Sequence, residues 1–266
     1  MTADLDLEAY LRRIEYAGER RPSRAALHAL HFAHVTHIPF ENLDILLGRA
    51  ISLDLASLQA KLVAGRRGGY CFEQNLLFSA VLQALGFTVT QLAARVRLGT
   101  DALRPRTHMT LLVDADGAQW LADVGFGASG PLLPVPFDGG SVARQHAWAY
   151  RIVDEAGLWL LQSSRGGPWE NLYAFTLEPQ HRVDYELASH YTSTHPSSPF
   201  TQTLTAQQSA PEARRILRGR EYSEDRGSEI ASRTLADDDE VLDVLAVKFG
   251  LRFPAGTRFR TAAGPG

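Results

Sequence analysis

The hydrophobic positions along this chain change period twice. Up to about residue 86 they recur at helical spacing, with Asp6 as an N-cap residue and Leu7, Tyr10, Leu11 and Ile14 on one face. A second helix is predicted from Ser23 and ends before Pro39, whose ring disfavours helix at the preceding residue. After Gly68-Gly69 the run from Phe72 to Leu85 is apolar almost all round, which fits a helix buried among others, and Gly86 suits the position after its end. From Phe87 to about Ser189 the pattern becomes short runs rich in Val, Thr, Leu, Trp and Tyr, broken by Gly, Asp and Pro. That alternation reads as antiparallel β-structure, with strands over 88–97, 107–113, 119–124, 147–153 and 158–162. The last third mixes a polar loop over 192–199 with short strands and one well-marked helix. There Asp237 and Glu240 form a capping pair, Leu242, Leu245 and Phe249 share a face, Lys248 lies in the last turn and Gly250 follows. No repeat or flexible linker separates these parts, so close packing of three pieces is expected.

Composition narrows the function classes. The 266 residues are 45% hydrophobic and 21% charged, the make-up of an ordinary globular chain. A net charge of -3 and a pI near 6.3 give no basic footprint for nucleic acid or an anionic membrane, so a small-molecule partner is expected. The single cysteine, Cys71, cannot form an internal disulfide, which points to a reducing cytoplasm. The first residues lack a basic, then apolar, leader pattern, and no apolar run approaches the roughly 20 residues of a membrane span.

Cys71 stands at the start of the buried helix, inside Arg66-Arg67-Gly68-Gly69-Tyr70-Cys71-Phe72-Glu73-Gln74-Asn75. A free cysteine is most often a small buried hydrophobe. A helix N-terminus, however, favours thiolate, and a thiol at its reference pKa is only about 3% ionised at pH 7, so a nucleophilic cysteine needs a basic partner. His108 is the best placed of nine histidines, at the start of an apolar strand run. Asp114-Ala115-Asp116-Gly117 marks a hairpin between that run and the next. If Ala115 and Asp116 centre the turn, His108 faces Asp123 directly; if Asp116 and Gly117 form the loop, the two are diagonal neighbours on the same face. Either register lets Asp123 accept from the imidazole, which with Cys71 makes a Cys-His-Asp triad.

Two other motifs carry less. Gly125-Phe126-Gly127-Ala128-Ser129-Gly130 matches a dinucleotide fingerprint literally, but Pro131, Pro134 and Pro136 stand where a helix must begin, so there is no βαβ unit. His28, His31, His34 and His37 recur every three residues on a predicted helix; that spacing drifts about 60° per step, so they cannot all converge on one metal, and a packed or solvated stripe is expected.

With these residues assembled, the chain resembles the arylamine N-acetyltransferase family over nearly its whole length. The resemblance rests on His37-Ile38-Pro39-Phe40-Glu41-Asn42-Leu43, the segment around Cys71, Pro105-Arg106-Thr107-His108-Met109, Asp123-Val124-Gly125-Phe126-Gly127, and the final helix from Glu240 to Leu251. It implies an α+β fold with a helical bundle over 1–86 carrying Cys71, an antiparallel β-barrel over 87–190 carrying His108 and Asp123, and an α/β lid over 191–266. It further implies ping-pong transfer of acetyl from acetyl-CoA, as co-substrate, through Cys71 to an arylamine or arylhydrazine, with no bound cofactor and no metal. Val96 and Thr107 would contact CoA or acceptor, Phe126 and Gly127 would line the cleft, and Phe200 would close it from the lid. The long insertion of eukaryotic members is missing, which makes a bacterial type the expectation. Competing expectations are a macrolactam-forming amide synthase of the same family, a papain-like or transglutaminase-like hydrolase with the same triad order, and a non-catalytic binding protein. The sequence leaves the acceptor, acyl length and oligomeric state open.

Overall fold

The computed structural model describes residues 4–100 and 102–261. The first third forms α1 (Leu7–Arg13), α2 (Arg24–His37), a short strand β1 (Phe40–Glu41), and the one-turn helices α3 (Leu43–Leu46) and α4 (Leu55–Leu58). A π-helical stretch, Gln59–Ala64, continues α4, and α5 (Cys71–Ala84) follows. The expected cap at Asp6 operates, its Oδ1 accepting the Ala9 N–H, and Ser23, at the predicted start of the second helix, caps it through Oγ, which accepts the Ala26 N–H. Gly86, just after α5, has a φ of 88°, the left-handed conformation expected of it.

Eight strands then curl into a nearly closed antiparallel barrel: β2 (Thr88–Val96), β3 (His108–Ala115), β4 (Ala118–Ala122), β5 (Val135–Pro136), β6 (Ala143–Gln145), β7 (Trp148–Glu155), β8 (Leu158–Ser164) and β9 (Glu170–Phe175). Their order is β5-β4-β3-β2-β9-β8-β7-β6. Strand alternation sorts the side chains into two cores. Leu92, Ala94, Leu112, Leu121, Tyr150 and Tyr173 fill the barrel, whereas Ala93, Met109, Leu111, Val113 and Trp120 point outward into the helical core with Leu77, Phe78 and Val81 of α5. The β3–β4 turn takes the Asp116-Gly117 register, with φ of 49° and 75° at those residues and Ala115 paired to Ala118. His108 and Asp123 are therefore diagonal neighbours.

The remaining elements are α6 (Arg182–Thr194), α7 (Pro199–Gln202), β10 (Thr205–Ser209), β11 (Arg214–Arg218), β12 (Glu221–Asp225), β13 (Ile230–Thr234) and α8 (Asp238–Phe249). Their sheet, ordered β1-β10-β11-β12-β13, borrows its first strand from the N-terminal third, with Phe40 opposite Gln207. Leu43 and Leu46 likewise join Leu204, Leu217, Val244 and Leu245 in a third core. The α8 caps match the sequence reading, since Asp237 Oδ1 accepts the Glu240 N–H and Gly250 is left-handed.

Two expectations need correction. Residues 182–189 were read as the end of the β region, and 192–199 as a loop, but α6 runs from 182 to 194, across the division placed after residue 190. Its inward face is Tyr185, Ser189 and Thr192, while Val183 and Leu187, though at helical spacing, are exposed, so the apolar positions do not mark the buried face. Strand β9 went unpredicted because it follows Gly166-Gly167-Pro168, and it supplies Tyr173 beside His108. Among the described residues no helix is long and apolar enough to cross a membrane.

Candidate active site

Cys71 is the first residue of α5, His108 the first of β3, and Asp123 directly follows β4. All three are buried, at 3%, 2% and 1% exposure, which removes bulk water from their chemistry. His108 Nε2 donates to Asp123 Oδ2 at 2.6 Å, leaving Nδ1 as the nitrogen for Cys71. The Cys71 thiol also points to the Thr107 carbonyl at 3.5 Å. Burial presses the His108 pKa down, but the Asp123 carboxylate and the hydrogen-bonded Cys71 sulfur outweigh it and lift the imidazole to about 10. Burial pushes Asp123 the other way, and His108, Asn75 and the Gly125 N–H together hold it below the usual carboxylate value.

Asn75 joins the two halves of the site. It lies one helical turn after Cys71 on the same face of α5; its Nδ2 donates to the Met109 carbonyl (2.8 Å) and Asp123 Oδ1 (3.0 Å), and its Oδ1 accepts the Val124 N–H (3.1 Å). The helix is thereby pinned to the ends of β3 and β4, so Cys71 faces His108. Sequence reasoning passed over Asn75, though a buried amide four residues after the thiol on an apolar helix was a usable signal. From behind, His31 Nε2 accepts the Asp123 N–H (3.1 Å) and Nδ1 donates to the Leu132 carbonyl (3.0 Å). Burial lowers the His31 pKa to about 4, which keeps the neutral tautomer that these bonds require. His34 is paired with Tyr10 Oη (2.7 Å) and Gln74 Oε1 (3.1 Å), so two of the four stripe histidines are packed hydrogen-bonding groups.

Gly125 is needed for contact with α5. A Cβ there would lie 2.7 Å from Cys71 Cα, 2.8 Å from Asn75 Nδ2 and 3.0 Å from the Cys71 carbonyl oxygen. Gly125→Ala is expected to displace the thiol and lower turnover by about 100-fold, measured with acetyl-CoA and an arylamine while circular dichroism verifies the fold.

A cleft of about 650 Å³ opens over Cys71 and His108. Val96, Thr107, Phe126 and Phe200 line it. Gly127 does not. With φ at 78°, it turns toward Gln207, whose Oε1 would be 2.5 Å from a Cβ, and it borders a small adjoining cavity that shares Phe40, Phe126 and Gln207 with the cleft. The walls are aromatic: Phe126 meets the His108 ring edge-on at 5.0 Å between centroids, and Phe200 lies 5.8 Å from Tyr70 and 5.9 Å from Phe40.

An N-acetyltransferase family model matches residues 24–257. An arylamine N-acetyltransferase of Mycobacterium tuberculosis is 41% identical over 93% of this chain and 89% of its own length. A solved structure of the M. tuberculosis enzyme superposes with a TM-score of 0.89, covering 92% of this chain and 93% of that one at 41% identity. A Mycobacterium marinum arylamine N-acetyltransferase in complex with CoA gives 0.88 at 38% identity, covering 92% of each chain. The chain belongs to the arylamine N-acetyltransferase family.

In this arylamine N-acetyltransferase family member, a buried ion network holds the loop that delivers Cys71. Glu41, fully buried, pairs with Arg67 (2.6 Å); Arg67 also reaches Asp44 (3.2 Å), and Lys61 joins Asp44 (3.0 Å) to Glu73 (2.7 Å). Glu73 Oε2 in turn accepts the Tyr70 N–H at 3.1 Å, satisfying a donor at the start of α5. Gln74 Nε2 donates to the Gly69 carbonyl at 2.7 Å, a second tie on the same loop. These charges were visible in the sequence as single residues; their closure into one network brings together residues as far apart along the chain as Glu41 and Glu73.

Proposed function

We propose that this protein transfers acetyl from acetyl-CoA to an arylamine or arylhydrazine by a ping-pong route through a Cys71 thioester. The observation that carries this reading is the alignment of Cys71, His108 and Asp123 beneath one aromatic-walled cleft. In the first half-reaction the Cys71 thiolate, held by the His108 imidazolium, attacks the acetyl carbonyl carbon. The C–S bond to CoA breaks, and the leaving sulfur takes the proton from His108. In the second, the amine nitrogen attacks the thioester, His108 accepts the amine proton, and the Cys71 sulfur leaves with the electron pair. Backbone N–H groups in the first turn of α5 have no intrahelical acceptor and are available to the oxyanion.

Asp123 fixes the tautomer that presents Nδ1 to the sulfur and balances the imidazolium. Low exposure of the triad keeps water from hydrolysing the thioester. Phe126 and Phe200 would sandwich the acceptor ring, while Val96 and Thr107 would flank the pantetheine arm. Mass spectrometry after mixing with acetyl-CoA, in the absence of amine, is expected to find one acetyl group on the wild-type chain and none on Cys71→Ala. An unmodified wild type, or equal labelling of the variant, would overturn the reading.

A further inference from the structure

The catalytic cleft has a side chamber. A cavity of about 270 Å³ shares Leu98 and Ser129 with the cleft and is bounded by Trp148, Ser163 and Ser164 of the barrel and by Arg214 of the lid sheet. Arg214, the first residue of β11, is only 8% exposed. It donates from Nη2 to Tyr150 Oη, and its guanidinium carbon sits 3.7 Å from the centroid of the Trp148 ring. Its Nε is buried without a hydrogen-bond partner, and among the described residues no carboxylate pairs with it.

Asp225 is its cross-strand neighbour, but that carboxylate is committed to Arg165 Nη1 (3.0 Å) and the Gly227 N–H (2.8 Å). Glu170, the other acid on the lining, is an exposed residue. The guanidinium of Arg214 thus lines the chamber without a carboxylate of its own, beside Arg165 and the hydroxyls of Ser129, Ser163 and Ser164, a setting in which a bound anion would compensate its desolvated charge. Its planar donors suit a carboxylate, sulfonate or phosphate.

We propose that this chamber is an anion-binding subsite of the catalytic cleft, in which Arg214, braced by Trp148, takes a carboxylate, sulfonate or phosphate group carried by a molecule bound there. The link to the cleft rests on the transferase reading; the anion site itself does not. Two sources share this chemistry, a phosphate of the acyl donor and an acidic substituent of the acceptor.

Calorimetric titration of the whole protein with benzoate, benzenesulfonate and inorganic phosphate tests the site without any acetyl transfer. At least one anion is expected to bind and to change the tryptophan fluorescence, and Arg214→Met to weaken that binding about tenfold or more. Absence of binding to the wild type, or equal binding by the variant, would overturn the proposal. Should Arg214→Met fail to fold, Arg214→Lys keeps the cation without the planar fork and must still weaken binding; unchanged affinity counts against the site. Steady-state kinetics then separates the sources. Loss in Arg214→Met of the preference for acetyl-CoA over its 3′-dephospho analogue assigns the chamber to the donor; loss of the preference for an acidic arylamine over its methyl ester assigns it to the acceptor. If neither preference changes, the connection to the cleft is refuted.

Discussion

Asp123→Asn is expected to lower kcat/KM for acetyl transfer by about 10³- to 10⁴-fold while leaving the chain folded. The size of the effect follows from the bonds on the two carboxylate oxygens. Oδ1 accepts from Asn75 Nδ2 and from the Gly125 N–H, so an asparagine must place its carbonyl oxygen there. Its NH2 group then faces His108 Nε2, which becomes an acceptor, and the imidazole proton moves to Nδ1, the nitrogen that in the proposed mechanism serves the Cys71 sulfur. Alkylation of Cys71 by iodoacetamide at neutral pH is expected to slow with turnover, which separates this cause from poor substrate binding.

The same substitution has a pH signature in stability. The raised His108 pKa stabilises the fold fully below the ordinary histidine value of 6.5, and that contribution is lost as pH rises through about 10. The lowered Asp123 pKa contributes above the ordinary value of 3.8 and is lost as pH falls. The stability gap between wild type and Asp123→Asn is therefore expected to be widest between about pH 4 and 6.5 and to narrow toward pH 10, read from urea midpoints. A gap that widens in alkali would contradict the ion-pair account.

Arg67→Met, in the loop before Cys71, is expected to be strongly destabilising. Arg67 holds the fully buried Glu41 and bridges to Asp44, so its loss strands a charge that water cannot reach. Breaking one side of such a pair costs about 3–5 kcal/mol, which in a domain of this size lowers Tm by roughly 5–10 °C. The part that belongs to the stranded charge is separable, because Glu41→Gln keeps the acceptor for the Leu43 N–H yet carries no charge. The double variant Glu41→Gln/Arg67→Met should regain a substantial share of the lost Tm in differential scanning calorimetry. No recovery would show that Arg67 acts through packing, including its contact with the Phe253 ring at 4.6 Å.

Much of this was local and therefore legible. Helix starts at Asp6, Ser23 and Asp237 depend on a side chain three residues from the N–H it caps, and the Asp116-Gly117 turn depends on two residues that accept positive φ. The period of a strand then put His108 and Asp123 on one face whichever register won. What failed to show was set by distant partners. The buried face of α6 is hard to read because two of its three buried positions, Ser189 and Thr192, are polar, with Ser189 bonded to Tyr70 Oη at 2.5 Å from 119 residues away. Gly127 lies beside the predicted cleft residues in sequence, but Gln207 of the lid sheet, not local pattern, decides where it turns.

The sequence by itself determined the place of Cys71 at a helix start and the pairing of His108 with Asp123, because each rests on spacing within a single helix or hairpin. Only the tertiary structure decided that the thiol and the imidazole meet. That meeting follows from α5 docking on β3 through Asn75, and such contacts between remote segments are carried by packing and hydrogen bonding that no local period encodes.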